Sequence, residues 1–396
     1  MIDYEVAFAR MGSIANALEP EEISIEKCAG RVLAEPLIAP FALPRFDNSA
    51  VDGYAVGSGA QEFRVVGAIS AGDAPTRALD QDSAVRIFTG AQVPVHAFSV
   101  VMQEDVVRSN DCIRLAEIPA PGQHIRRAGE EVAAGQEVLP KGTALNPAGA
   151  ALLASFGFEK ISVHRLPRVA IVITGAELIK CGPLGDGAIY ESNSYGLLAA
   201  LRSVRIVPNH ISLVQDSLEE TRASLTTALE IADVVITTGG VSVGDKDVVR
   251  AALHQLGVSE VFWKVAIKPG KPIYFGRLGS KYVFGLPGNP LSVLATYTLF
   301  VEPFIKALCG YPFAEPLRLP GVVAETIHHK PGRMELVPAV HRTSDSKLVV
   351  EAISGQGSHM LSGMARATGW IEVPKDSERI SQGAVVRFYP IGDESK

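Results

Sequence analysis

Asp47, Asn48, Ser49, Asp52 and Gly53 crowd one short turn of PRFDNSAVDGYAV (44–56), more side-chain oxygen than bending a backbone requires. Two readings stand, an Asx-rich surface turn between strands or an oxygen-lined site. In ITTGGVSVGDKD (236–247), Gly239, Gly240 and Gly244 allow successive backbone N–H groups to curl toward one point. Ser242 adds a hydroxyl, and the start of a helix turns its positive end to the same place. Such a loop holds phosphate or another oxyanion. It has neither the GxxxxGK[ST] nor the GxGxxG pattern, and a plain glycine-rich strand-to-helix turn is the competing reading. In WKVAIKPGKP (263–272), Lys264, Lys268 and Lys271 sit among apolar residues. Strand alternation puts Lys264 and Lys268 on one face, suited to a ligand with several negative charges, whereas solvated lysines on a surface strand are the alternative. Glu177, Asp216, Asp245 and Asp247 follow strand-like runs, where carboxylates beside a polyanion hold Mg²⁺. Asp245 and Asp247 suit the first turn of a helix equally well.

The elements that must position these residues read as follows. RVAIVIT and ADVVITT are continuous apolar runs, as strands covered on both faces require, and helical stretches follow them. Three strand-to-helix junctions, at 172–179, 235–249 and 284–294, therefore lie at the carboxyl edge of a parallel sheet, where ligands bind. That α/β domain spans 166–315. Short β-runs broken by Gly, Asp and Pro fill 43–130, a β-rich insert, and 316–396 returns to short strands, a small barrel or sandwich. Residues 1–42 open with a helical pattern, and 131–165 contain a helix capped by Asn146 with Pro147 at its first position.

A chain of 396 residues with 47% hydrophobic and 20% charged residues has material for several cores. Its net charge of −6 argues against a general nucleic-acid binder or a binder of anionic membranes. Four scattered cysteines without a CxxC pair give neither a disulfide framework nor a zinc cluster. The acidic start MIDYEVAFARMGSI is no signal peptide, and no uninterrupted apolar window is long enough to cross a bilayer. The expectation is a cytoplasmic protein with no nucleic-acid or membrane partner.

FDNSAVDGYAV, RIFTGAQVP, RRAGEEV, ITTGGVSVGDKD, KVAIKPGKP and GLPGNPLS, in this order, resemble the molybdopterin molybdenumtransferases of the MoeA type, related to the E domain of gephyrin. The resemblance covers essentially the whole chain. It implies insertion of molybdate into adenylylated molybdopterin, with Mg²⁺ and release of AMP. It implies an elongated, multi-domain α/β plus β subunit: an N-terminal linking and dimerisation domain formed by 1–42 and 131–165, the β-rich insert, a central α/β parallel-sheet domain of the MoaB/Mog type, and a C-terminal β-barrel. It also implies a homodimer in which the cleft of one subunit faces the partner's insert, so that the FDNSAVDG turn serves a shared site. A molybdopterin adenylyltransferase would supply the substrate and molybdoenzymes would accept the product. On matching positions, Asp52, Thr89 and Glu131 belong to the insert side, and Glu177, Asp216, Asp247, Gly239, Gly240, Ser242 and Gly244 to the α/β side. Lys264, Lys268 and Lys271 would hold pyrophosphate or molybdate, Pro287 and Pro290 would shape the wall, and Ser358 in GQGSHML either reaches the same cleft or sits in a plain barrel turn. Mg²⁺ would sit on Asp247 and Glu177.

The chain departs from the family pattern at Ala176, where TGDEL is usual, at Glu131, where GED is usual, and at Val51, where FDNSAMDG is usual. Loss of an acid at 176 weakens a metal site or removes a helix cap. Two other functions are open on these grounds: a molybdopterin adenylyltransferase, which would be a lone α/β domain, and a catalytically weak scaffold that retains molybdopterin.

Overall fold

The computed structural model describes residues 1–241, 248–353 and 360–391. The chain divides into two compact units, Glu22–Ser162 and Met1–Glu21 together with Val163–Lys396.

The first unit is built on a six-stranded sheet in the order Ser99–Met102, Gly53–Val56, Ser83–Ile87, Glu62–Ile69, Cys112–Leu115, Val106–Ser109. Its faces carry separate apolar clusters, Ala55, Ile87 and Val100 on one and Tyr54, Phe63, Ile113 and Leu115 on the other. That division follows from the alternation of side chains along each strand. Helix Pro147–Ser155 starts as the sequence predicts, with Asn146 Oδ1 accepting from the Gly149 N–H at 2.8 Å and Pro147 in the first turn.

The second unit contains a mixed six-stranded sheet in the order His210–Val214, Val169–Thr174, Val234–Thr238, Lys281–Leu286, Tyr274–Leu278, Ser259–Trp263. The first four strands are parallel, and every residue of Val169–Thr174 and Val234–Thr238 is buried, as their unbroken apolar runs require. Tyr274–Leu278 runs antiparallel to both its neighbours; only two residues separate Leu278 from Lys281, too few for the crossover a parallel pairing needs. Helix Leu218–Ile231 is capped by Ser217, whose Oγ accepts from the Glu220 N–H at 3.2 Å. Helix Pro290–Leu308, interrupted by a π-turn at Tyr297–Val301, is long and apolar enough to span a bilayer by length and composition, a length that the reading of uninterrupted apolar windows passes over; 78% of that window is buried inside the fold. Helix Tyr4–Gly12 buries Tyr4, Ala7 and Met11, spaced along one face, in the same core as Phe275, Phe284 and Phe304.

Five C-terminal strands close into a barrel: Met334–Ser344, Lys347–Ala352, Leu319–Val323, Val385–Pro390 and Gly369–Val373, the last pairing back onto the first. Val323, Val337, Val350, Ile371 and Phe388 fill its interior, whereas Trp370 and Tyr389, one position out of phase, pack into the α/β core. A barrel therefore replaces the barrel-or-sandwich alternative.

Candidate active site

The loops that leave the parallel strands meet at one edge, where the second unit opens a cleft of about 1130 Å³. Gly175 and Glu177 come from the end of Val169–Thr174, Asp216 from the end of His210–Val214, and Gly239 and Gly240 from the end of Val234–Thr238. Pro287 and Pro290 follow Lys281–Leu286, with Pro290 opening a helix behind the Asn289 cap. Parallel strands point their carboxyl ends the same way, so residues far apart in sequence line one wall. The barrel closes the cleft from the other side with Arg333, Glu335 and Pro338 among its contributions.

Gly239 and Gly240 hold φ values of +84° and +63°. A Cβ at Gly239 would lie 2.5 Å from the Thr174 carbonyl oxygen, and one at Gly240 2.6 Å from Val249 Cγ2, so both space and backbone require glycine. The Gly239 N–H, however, donates to the Leu286 carbonyl at 3.1 Å. That amide continues the sheet ladder instead of facing a ligand, which corrects the expectation of successive free amides from Gly239 onward. Ser242, Gly244, Asp245 and Asp247, with Ser358 in the tail, lie outside the described residues.

The lysines do not share a face as strand alternation suggested. Lys264 takes φ +64°, which ends the Ser259–Trp263 strand, and its ammonium rests 3.6 Å above the Trp263 ring centroid. The chain then forms a second, separate pairing, with Ile267–Lys268 parallel to Met334–Glu335 of the barrel. Lys268 and Lys271 line the cleft, and Lys264 is not among the residues that do. Lys268 Nζ lies 2.7 Å from Glu335 Oε1, with the lysine 45% exposed and the glutamate 6%. A buried carboxylate thus anchors a half-exposed cation that lines the cleft.

The junction after Val169–Thr174 also differs from a simple strand-to-helix turn. A two-stranded ladder, Leu178–Ile179 with Ile189–Tyr190, intervenes before helix Asn193–Ser203. Ala176 is exposed on the turn and has no helix behind it to cap, so the missing acid is not a lost cap. Capping falls to Glu191, whose carboxylate accepts from the Ser194 N–H at 2.7 Å and the Ser194 hydroxyl at 2.5 Å. Asn193 Nδ2 donates to the Gly288 carbonyl at 2.8 Å and ties this loop to the proline wall. Glu191, Asn193, Arg333 and Glu335 were not found from sequence. Glu335 was visible only as a lone acid in the apolar run MELVPAV, and its pairing with Lys268 has no local signature.

Within the first unit, the FDNSAVDG oxygens are largely committed to the turn. Asp47 accepts from Arg127 Nη1 at 2.6 Å and the Ala128 N–H at 2.8 Å, and the Ser49 hydroxyl donates to the Val51 carbonyl at 2.6 Å. Asp52 is exposed, and its Oδ1 accepts from both the N–H and the hydroxyl of Thr89 at 2.8 Å, which lowers its pKa. The structure therefore brings Asp52 and Thr89 together within the first unit. Glu131 is exposed at the end of a separate turn, in which the Glu130 carboxylate accepts from the Arg127 N–H at 2.7 Å.

Among the described residues no group of three metal-ligating side chains forms. Glu177 and Asp216 nevertheless offer exposed carboxylate oxygens to the cleft, the donor set for a hard cation that keeps its waters and is completed by ligand phosphates.

An α/β unit with a cleft at its carboxyl edge, walled by a barrel and lined by Lys268, Lys271, Arg333, Glu177 and Asp216, has the layout of a small-molecule site. Family models match three consecutive regions: the MoeA N-terminal region (domain I and II) at residues 2–157, a probable molybdopterin binding domain at 170–307, and the MoeA C-terminal region (domain IV) at 320–391. The molybdopterin molybdenumtransferase of Haemophilus influenzae is 36% identical over 380 residues, covering 94% of each chain. Molybdopterin molybdenumtransferase 2 of Mycobacterium tuberculosis is 33% identical over 400 residues, covering 96% of this chain and 97% of that one. The crystal structure of the molybdopterin biosynthesis MoeA protein from Pyrococcus horikoshii superposes with a TM-score of 0.83 at 30% identity, covering 99% of this chain and all of the other. The chain belongs to the MoeA family of molybdopterin molybdenumtransferases.

Proposed function

We propose that this enzyme of molybdenum cofactor biosynthesis inserts molybdate into adenylylated molybdopterin in the described cleft, with release of AMP. The observation that carries the reading is the joint wall of Lys268, Lys271 and Arg333 with the Glu177 and Asp216 carboxylates in one cavity. Cations of this kind bind the pyrophosphate that links pterin to AMP, and they stabilise charge that builds on the leaving phosphate. Lys268 is preorganised for this by Glu335, so little side-chain entropy is lost on binding. Glu177, Asp216 and Asp247 would hold Mg²⁺, which when bound polarises the pyrophosphate linkage. The proline wall at Pro287 and Pro290 gives the flat pterin an apolar surface. A lone adenylyltransferase domain would lack both flanking regions.

The same reading includes a homodimer whose partner subunit offers Asp52 and Thr89 to this cleft. It places the protein in the cytoplasm between an adenylyltransferase and acceptor molybdoenzymes. Binding of adenylylated molybdopterin, followed by quenching of pterin fluorescence, tests the cleft. Lys268→Met should weaken it by about tenfold, the loss of roughly one charge-assisted contact; unchanged binding in that variant would place the ligand elsewhere.

A further inference from the structure

Behind the cleft, Lys268 is the outer member of a buried row. Glu335 Oε1 holds its ammonium at 2.7 Å, and Glu335 Oε2 lies 3.4 Å from Nε2 of His329, whose ring is 1% exposed. The other ring nitrogen, Nδ1, lies 2.8 Å from the Ser377 carbonyl oxygen. A carbonyl oxygen only accepts, so Nδ1 carries a proton there and the state of Nε2 is what remains open. An unprotonated Nε2 would set its lone pair against a carboxylate oxygen in a place closed to water, which is costly for both groups. A protonated Nε2 needs only a small approach to reach hydrogen-bond distance, and it leaves neither atom without a partner.

The other charged groups on the packed elements are engaged or turned outward. Lys375 pairs with Asp3 at 2.7 Å, Arg333 lines the cleft, and His328, Lys330, Asp376 and Glu378 are exposed. Among the described residues, no ion pair to the Glu335 carboxylate forms other than those with Lys268 and His329.

We propose that His329 and Glu335 share a proton between Nε2 and Oε2, and that this proton sets how Lys268 divides its charge between Glu335 and an anion in the cleft. With the proton in place, two cations satisfy one carboxylate and the ammonium keeps attraction for a ligand. Without it, the carboxylate is answered by Lys268 alone and the cation is largely cancelled. His329 is thus a positioning residue that touches no ligand. The inference deepens the proposed function and rests on the cleft binding an anionic ligand.

Two readouts test it on the full chain. Nitrogen-15 NMR of the histidine rings at neutral pH should find His329 protonated on both nitrogens, with the Nε2 proton lost in Glu335→Gln. Calorimetric titration with inorganic pyrophosphate should show affinity about tenfold lower in His329→Gln, which keeps a donor but not the charge. A His329 ring protonated on Nδ1 alone in the unaltered chain overturns the proposal, and this readout needs no variant to fold. Unchanged pyrophosphate affinity in a folded His329→Gln overturns it as well. If the unaltered chain binds no pyrophosphate while the ring is doubly protonated, the cleft reading falls and the proton-sharing pair stands.

Discussion

Asp233 stands at the amino edge of the sheet, at the opposite end of its strand from Gly239, and its replacement should separate stability from cleft chemistry. Arg165 donates to it at 2.6 and 3.0 Å, and Arg168 donates through its backbone N–H at 2.8 Å and its guanidinium at 3.0 and 3.3 Å. Hydrogen bonds to a charged group contribute about 1.5–3 kcal/mol each, and the half-exposed Arg168 side chain adds under about 1 kcal/mol after solvent screening. Asp233→Asn preserves shape and one acceptor but turns an amide toward a guanidinium, so the expected loss is about 2–4 kcal/mol. For a unit of this size that corresponds to a Tm lowered by about 5–12 °C.

The pH dependence has a definite sign. Burial alone raises the Asp233 pKa, but the hydrogen bonds from Arg165 and Arg168 outweigh it and hold the group well below the ordinary carboxylate range. A depressed folded value gives stabilisation that is complete above the unfolded pKa, about 3.9, and is lost as pH falls from there toward the folded value. Calorimetric scans should therefore show a constant gap between the two chains from about pH 8 to pH 5, narrowing below about pH 4. A gap under about 2 °C at neutral pH, or one unchanged on acidification through that range, would refute this reasoning.

Gly240→Ala should cost about 2–4 kcal/mol, combining a left-handed backbone with a Cβ 2.6 Å from Val249 Cγ2, and thermal melts would check it. The proposed dimer makes a sharper prediction. Asp52→Ala and Glu177→Ala chains, each poorly active, should regain about a quarter of full activity when mixed and reassociated, because half the dimers then hold one intact site. Recovery would be absent if each site lay within a single chain.

Much of the α/β framework was legible because buried parallel strands leave long apolar runs, as in Val169–Thr174 and Val234–Thr238. Asn146 and Ser217 announced their helices because capping is a local hydrogen bond. The lysine segment was misread for a tertiary reason. Strand periodicity cannot foresee that Lys264 turns left-handed while Ile267–Lys268 leaves its sheet to join the barrel. Glu335 and His329 stayed hidden for the same reason, since the strand of one and the loop carrying the other meet only in the folded chain. Around Gly239 the composition was right and the hydrogen bonding was not, because the neighbouring strand claimed the amide first.

The central claim is that this cleft, with its anchored lysine and the Glu177 and Asp216 carboxylates, carries the proposed transfer. Single-turnover release of AMP from adenylylated molybdopterin, with molybdate and Mg²⁺, tests it most directly. The unaltered chain should release AMP, and Lys268→Met and Glu177→Gln should each slow the step by about a hundredfold or more while remaining folded. Release at the unaltered rate in both folded variants would contradict the account.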